Sequence, residues 1–257
     1  MNNEQKQHLI AYLAKGTRYD GRGLLDWRPI LIETDVSKSA EGSACVRVGK
    51  TEIMAGVKLA LEKPYPDRPN EGNLMVNAEL YPLSSPKFET GPPGEQAIEL
   101  ARVIDRGIRE AKTIDVKKLC IKAGEKVWSV SIDIVTINDD GDLMDAGALA
   151  AMSALQTARF PCIKNDVVDY GERTNKPIPI DKHPITVTVY LIDKYFVVDP
   201  LPEEEEAADA RLTVAVDEDG MVRALQKGGA MKLTVDQIAH MVQIAVKKAP
   251  ELRKLIK

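Results

Sequence analysis

The chain has 257 residues, 44% of them hydrophobic, enough for one substantial core or two smaller ones. Its formal net charge is −4, so bulk electrostatics does not draw it to nucleic acid, and any polyanion contact must come from a local basic patch. Aromatic residues at 5% argue against a base-stacking platform, and no run approaches the ~20 apolar residues of a membrane span.

In chain order, residues 3–15 read as an amphipathic helix with Leu9, Ile10, Leu13 and Ala14 inward and Gly16 as its stop. Extended segments follow at 29–36, 43–49, 51–61 and 73–83, separated by Gly, Pro and Asn punctuation. A long helix is predicted over 95–114, with Ala97, Ala101, Ile104, Ile108 and Ala111 at helical spacing. Residues 127–137 alternate and are rich in Val and Ile, which predicts a strand, and a helix then runs to about residue 160. A break over 161–183 holds three prolines and two Gly/Asn turn signals. The order then repeats in shorter form: strands near 185–192, 195–198, 211–217 and 221–227, and a helix from 235 to about 255. Strands-then-helix occurring twice predicts an α+β duplication, residues 1–160 and 161–257, each sheet covered by helices on one face.

Cys45, Cys120 and Cys162 are odd in number and widely spaced, which fits buried thiols of a reducing cytosol better than a disulfide framework or a zinc site. His8, His183 and His240 are isolated, so no metal and no cofactor are expected. The N-terminal residues show no apolar signal region, and the chain reads as cytoplasmic, with no membrane association.

The most informative stretch is the end of the 127–137 strand. Asn138–Asp142 turns about Gly141, and small apolar residues from Ala146 begin a tightly packed helix. A strand, a glycine turn and a helix N-terminus together aim free N–H groups at a bound phosphate. Here the turn carries Asp139, Asp140, Asp142 and Asp145, which would repel one. Two further features admit two readings each. Arg102, Arg106 and Arg109 fall on one face of the long helix; they either grip successive phosphates of a single strand or form a solvated face paired with Glu99 and Glu110. The run Pro202–Glu206 is either an acidic loop kept in solvent or a set of carboxylates for magnesium or acid–base work.

Arg18-Tyr19-Asp20-Gly21-Arg22, Trp27-Arg28-Pro29, Gly42-Ser43-Ala44, Gly49-Lys50-Thr51, Ile98-Glu99-Leu100 and Ile132-Asp133, in this order and spacing, resemble the RNase PH superfamily nearly end to end. The resemblance implies two similar halves of the ribosomal protein S5 domain 2-like kind, each a mixed sheet with helices on one face. It also implies six-membered rings and phosphorolysis of RNA 3′ ends. Active members carry Gly-Gly-Thr-Arg after the strand, whose Thr and Arg hold the attacking phosphate. Alignment on Asp140-Gly141 puts Asp142, Leu143 and Met144 there instead. The Arg-Arg pair that grips RNA in active members falls on Glu95 and Gln96, whereas Asp199 and Glu205 stand at the two acidic catalytic positions.

Charge-assisted hydrogen bonds are worth about 1.5–3 kcal/mol each, so losing this set while adding Asp142 should abolish phosphate binding. Within the superfamily, Pro69–Leu74 and Glu89–Arg106 are most similar to the silent subunit of the archaeal exosome. That family alternates with a catalytic paralogue in a hexameric ring, a trimer of heterodimers, and carries RNA-binding cap proteins. It also offers basic residues to single-stranded RNA 3′ ends near the paralogue's site. Arg102 and Arg106 match those RNA-contacting positions, whereas Arg109 does not. A non-catalytic ring subunit is therefore the leading expectation. The rivals are a magnesium-dependent phosphorolytic exoribonuclease using Asp199 and residues 203–206, and a scaffold that never touches RNA.

Overall fold

The computed structural model describes residues 1–164 and 167–256. The first sheet comprises β1 (Ile30–Thr34), β2 (Gly42–Val48), β3 (Thr51–Glu62), β4 (Asn73–Glu79), β5 (Cys120–Lys122) and β6 (Lys126–Asn138). Its order is β1-β2-β3-β6-β4, with β5 also on β6, and only the β4/β6 pair is parallel. A parallel pair needs a crossover, and the chain supplies one through α2 (Glu95–Glu110). In β3, Thr51, Ile53, Ala55, Val57 and Leu59 are buried and alternate with part-exposed residues, so one face of this sheet meets the core.

The second sheet comprises β9 (Ile185–Ile192), β10 (Tyr195–Val198), β11 (Ala210–Val216) and β12 (Val222–Gly228), in the order β10-β9-β11-β12. It is antiparallel throughout, and β9–β10 and β11–β12 are each joined by a short turn. Only the first sheet is mixed. The helix α3 (Leu143–Thr157) lies between the two sheets, against β2 and β3 on one side and β9 on the other. All its residues from Leu143 to Leu155 are therefore buried. Its Ala-rich composition follows from that position, since large side chains would force the sheets apart. A Cβ on Gly42 would meet the Ala154 carbonyl oxygen at 2.3 Å, so β2 approaches this helix as closely as glycine permits.

The second sheet takes α2 and α3 on one face and α5 (Val235–Arg253) on the other, which is why β9 is buried along its whole length. The N-terminal helix α1 (Asn3–Leu13) packs Leu9 and Leu13 on Ile192, Val197 and Ala207, so it belongs spatially with the second sheet.

Several boundaries differ from the sequence reading. α2 stops at Glu110 rather than 114, because Lys112 takes a left-handed conformation with φ 54° and Ile114 bridges to Ile180. α3 begins three residues before Ala146 and ends at Thr157, and Phe160 lies in a strand. The expected break over 161–183 is largely a two-stranded ribbon, β7 (Arg159–Lys164) with β8 (Val167–Pro177). Pro161 is accommodated where the ribbon's register shifts, since it has no N–H to give to a ladder. The turn signal at Asn165 lies outside the described residues. The acidic run forms a short helix, α4 (Pro202–Ala207), not a solvated loop.

Candidate functional site: a filled anion cleft and an arginine groove

Three arginines from the segment between α1 and β1 organise the site. Arg18 is 1% exposed. It donates through Nε and Nη2 to the Glu204 carboxylate, and to the carbonyls of Val198 at 2.9 Å and Asp199 at 2.6 Å. Arg28 donates to Asp199 Oδ1 from Nε at 2.9 Å and Nη2 at 2.6 Å, while its backbone N–H donates to Oδ2 at 2.6 Å. Arg22 adds a bond from Nη1 to Oδ2 at 2.8 Å. The Arg28 guanidinium also reaches the Asp140 carbonyl at 2.6 Å and the Gly141 carbonyl at 3.2 Å. Asp199 is thus a fully buried carboxylate whose oxygens are already occupied, clasping the turn before α3 to the strand end after β10.

The turn itself is saturated from within. Asp139 N–H donates to the Ser84 carbonyl at 2.9 Å, Asp140 N–H to Thr51 Oγ1 at 3.2 Å, and Gly141 N–H to Asp139 Oδ1 at 3.2 Å. The Asp142 N–H donates to Glu205 Oε1 at 2.9 Å, so a carboxylate of the chain takes the amide at the helix start. Gly141 has φ +88°, and a Cβ there would meet the Pro200 carbonyl at 2.4 Å, so this turn has room for nothing but glycine.

Asp142 caps α3 from a left-handed conformation, φ 60°, without a side-chain capping bond. Both of its carboxylate oxygens are buried and have no partner. Burial first, then the nearby charges of Asp145 and Asp199, push its pKa well above the ordinary carboxylate value, which favours the neutral acid. Asp142, expected to add a negative charge to the site, is thus a fully buried side chain whose surroundings oppose its ionisation. Asp145 accepts from Thr188 N–H at 2.7 Å and Thr188 Oγ1 at 2.8 Å, tying α3 to β9. Burial pushes its pKa up to about 7 against the lowering effect of those bonds. Glu205 also accepts from the Tyr190 hydroxyl at 2.9 Å, and burial raises its pKa as well.

Above this layer lies a cleft of about 200 Å³ lined by Gln96, Leu100, Leu143, Met144, Tyr190, Glu205 and Arg211, among others. Gln96, Leu143 and Met144 thus come together, with Asp142 directly beneath. Glu95 faces the adjoining groove. Of the two acidic positions only Glu205 reaches the cleft; Asp199 is behind it, consumed by arginines. The run 202–206 divides likewise: Glu203 and Glu206 are exposed, and Glu204 is fully buried on Arg18.

The outer face of α2 carries Arg102 and Arg106, both exposed. Their expected partner Glu99 is taken by Arg211, whose Nη2 donates at 2.7 Å. Arg109 pairs with Asp105 at 2.6 Å, and donates to the Leu74 carbonyl at 3.0 Å, rather than pairing with Glu110. Sequence reasoning did not single out Arg28, Tyr190 or Arg211. The three arginines within the opening signature, at 18, 22 and 28, were the available signal for the first, whereas partners on β9 and β11 become visible only in the folded chain.

Residues 26–161 match the profile of the 3′ exoribonuclease family, domain 1, and residues 182–248 match its domain 2. The chain is 44% identical over 255 residues to exosome complex component Rrp42 of Methanopyrus kandleri, covering 98% of this chain and 96% of that protein. It is 46% identical over 261 residues to the same component of Pyrococcus abyssi, covering 98% and 93%. Among solved structures, a chain of the Archaeoglobus fulgidus exosome with RNA bound to the active site superposes with a TM-score of 0.92 at 41% identity, covering 99% of this chain and 98% of that one. The chain therefore belongs to the 3′ exoribonuclease (RNase PH) family, among its exosome core subunits.

Proposed function

We propose that this chain is a catalytically silent member of the ring, building a 3′→5′ phosphorolytic RNA-degrading complex with an active paralogue. The observation that carries this reading is the filled anion site. Leu143 and Met144 stand where active relatives hold phosphate with Thr and Arg, and each N–H from Asp139 to Asp142 already has an acceptor within the chain. An incoming phosphate would have to displace the Glu205 carboxylate and would find the cleft's Arg211 already engaged by Glu99, a loss of several charge-assisted bonds at about 1.5–3 kcal/mol each. In this reading Arg102 and Arg106 hold RNA near the paralogue's site. The Archaeoglobus fulgidus relative, solved with RNA at the active site, supports that role. In this reading residues 1–160 and 161–257 are the two RNase PH-like units, the six-stranded sheet lying in the first and the four-stranded sheet in the second. The ring is a hexamer that works in the cytoplasm and presents a surface to RNA-binding cap proteins.

The test is phosphate-dependent trimming of a labelled RNA 3′ end. The folded chain alone should release no nucleoside diphosphate, and activity should appear when the active paralogue is added. Robust trimming by this chain alone would overturn the proposal. The magnesium-dependent alternative loses its chief support, since every oxygen of Asp199 is engaged by arginine donors within 3.1 Å.

A further inference from the structure

Beside the filled cleft runs a larger groove, about 730 Å³, between the outer face of α2 and the C-terminal end of β12. On α2 it is lined by Glu95, Glu99, Arg102 and Arg106, so two carboxylates share it with the two exposed arginines. A carboxylate that closed on either arginine would take it from RNA. Glu95 stands seven residues before Arg102, about 10 Å along the helix, beyond the three- and four-residue spacings at which helix neighbours meet. Glu99 is three residues before Arg102, within that reach.

The second sheet holds Glu99 elsewhere. Alternation along β12 turns Gln226 and Gly228 to the α2 side, opposite Thr213 and Arg211 of β11. Arg211 lies across Gly228, where a Cβ would collide with its guanidinium, and so reaches Glu99 from Nη1 at 3.3 Å and Nη2 at 2.7 Å. Gln226 Nε2 donates to the same carboxylate at 3.5 Å, while its Oε1 accepts from Arg106 Nη1 at 3.4 Å. Only this orientation of the amide offers a donor to Glu99 and an acceptor to Arg106. Glu99 and Arg106, two turns apart on one helix, are thus bridged by a neutral group rather than paired with each other. Arg106 makes no ion pair among the described residues, so its charge is left uncancelled.

We propose that Gln226 is a positioning residue of the RNA grip. Its carbonyl oxygen orients the Arg106 guanidinium without neutralising it, and its amide, together with Arg211, keeps Glu99 turned away from the arginines. The inference rests on the reading that Arg102 and Arg106 hold RNA, and it makes one neutral side chain of the second sheet responsible for how one of them is presented.

The test uses the complex reconstituted with the active paralogue, with inorganic phosphate omitted so that RNA is bound but not degraded. Affinity for single-stranded oligo(A) is measured over a salt series for the parent, Gln226→Met and Gln226→Glu, for Arg106→Gln alone and with each of them, and for the Arg102→Gln/Arg106→Gln double variant. Each phosphate contact contributes about 0.7 to the slope of log K against log salt for a single strand. Gln226→Met keeps the volume and the charge but loses both hydrogen bonds, so it should weaken binding several-fold at the parent slope. Gln226→Glu sets a carboxylate against Arg106 and should lower the slope by about 0.7, as Arg106→Gln does. In the Arg106→Gln background both substitutions at 226 should lose most of their effect, which a general change of fold or field would not. Parent affinity in Gln226→Met, or effects at 226 that persist undiminished without Arg106, overturns the proposal while a weakened double arginine variant leaves the grip standing. If the double arginine variant binds as the parent does, the reading of the arginines fails as well. Loss of the ring by Gln226→Met on size exclusion also overturns the proposal, since Gln226 would then be a subunit contact.

Discussion

Replacing Asp142 with Asn tests whether the turn before α3 holds a proton rather than a charge. The side chain is 0% exposed, its oxygens have no donor, and burial, followed by the charge of Asp145, raises its pKa well above 3.8. A carboxylate raised in the folded state keeps its proton after the unfolded chain has released its own. Its favourable contribution is therefore complete below the unfolded value and is lost as pH rises toward the folded one. Each pH unit inside that window is worth about 1.4 kcal/mol relative to an uncharged side chain. Asn cannot ionise. Urea titrations of parent and Asp142→Asn over a pH series upward from 5 should therefore diverge, the variant gaining on the parent as pH rises, by at most about 1.4 kcal/mol per unit. Asn leaves its own buried amide unpaired, at about 1–3 kcal/mol, but that offset is the same at every pH and does not alter the slope. Parallel curves would refute the reasoning and place a charge at Asp142.

Arg28→Met should destabilise the protein by about 3–5 kcal/mol, measured by urea denaturation, because Asp199 remains buried without its main partner; a change below about 1 kcal/mol would contradict the clasp. Glu205→Gln should leave the phosphorolysis rate of the reconstituted complex unchanged, and a large fall in rate would assign this subunit a catalytic carboxylate. Arg211→Gln should weaken RNA binding by the complex by freeing Glu99 beside Arg102, and Glu99→Gln added to it should restore the affinity; failure of the rescue would show that Arg211 does not act by holding Glu99. Leu143→Thr with Met144→Arg should not create phosphate binding by calorimetry, since the turn amides and Glu205 remain as they are.

The amphipathic and alternating segments were legible because their periods follow directly from which face is buried: residues 185–192 and 195–198 match β9 and β10 residue for residue. Boundaries failed where a backbone conformation, not a hydrophobic pattern, ends an element, as at Lys112 and Asp142, both with positive φ. The ribbon of β7 and β8 was missed because prolines and polar residues, read locally, signal a break, whereas pairing between strands does not register in local pattern. The acidic run was misjudged for a related reason. Four adjacent glutamates favour solvent on composition, but a helix turns Glu204 inward to Arg18 and leaves Glu203 and Glu206 outside.

The proposed loss of phosphate chemistry and the stability of this fold would have one structural basis. In the RNase PH-like arrangement the turn before α3 must face the strand end after β10, and both ends bring carboxylates to that meeting. If Leu143 and Met144 replace the phosphate-holding Thr and Arg of active relatives, as proposed, the site without further contacts would be a cavity ringed by unpaired acids. Arg28 and Arg22 take Asp199, Arg18 takes Glu204, the Asp142 amide and Tyr190 take Glu205, and Thr188 takes Asp145. Of these acids, among the described residues, Asp142 alone is left without a partner, and its burial opposes ionisation. Contacts that would otherwise serve a substrate anion join α3 to β9 and the turn before α3 to the strand end beyond β10. A subunit organised in this way can lose catalysis without losing its shape, and shape, with the cations of the neighbouring groove, is what a partner subunit and an RNA strand would use.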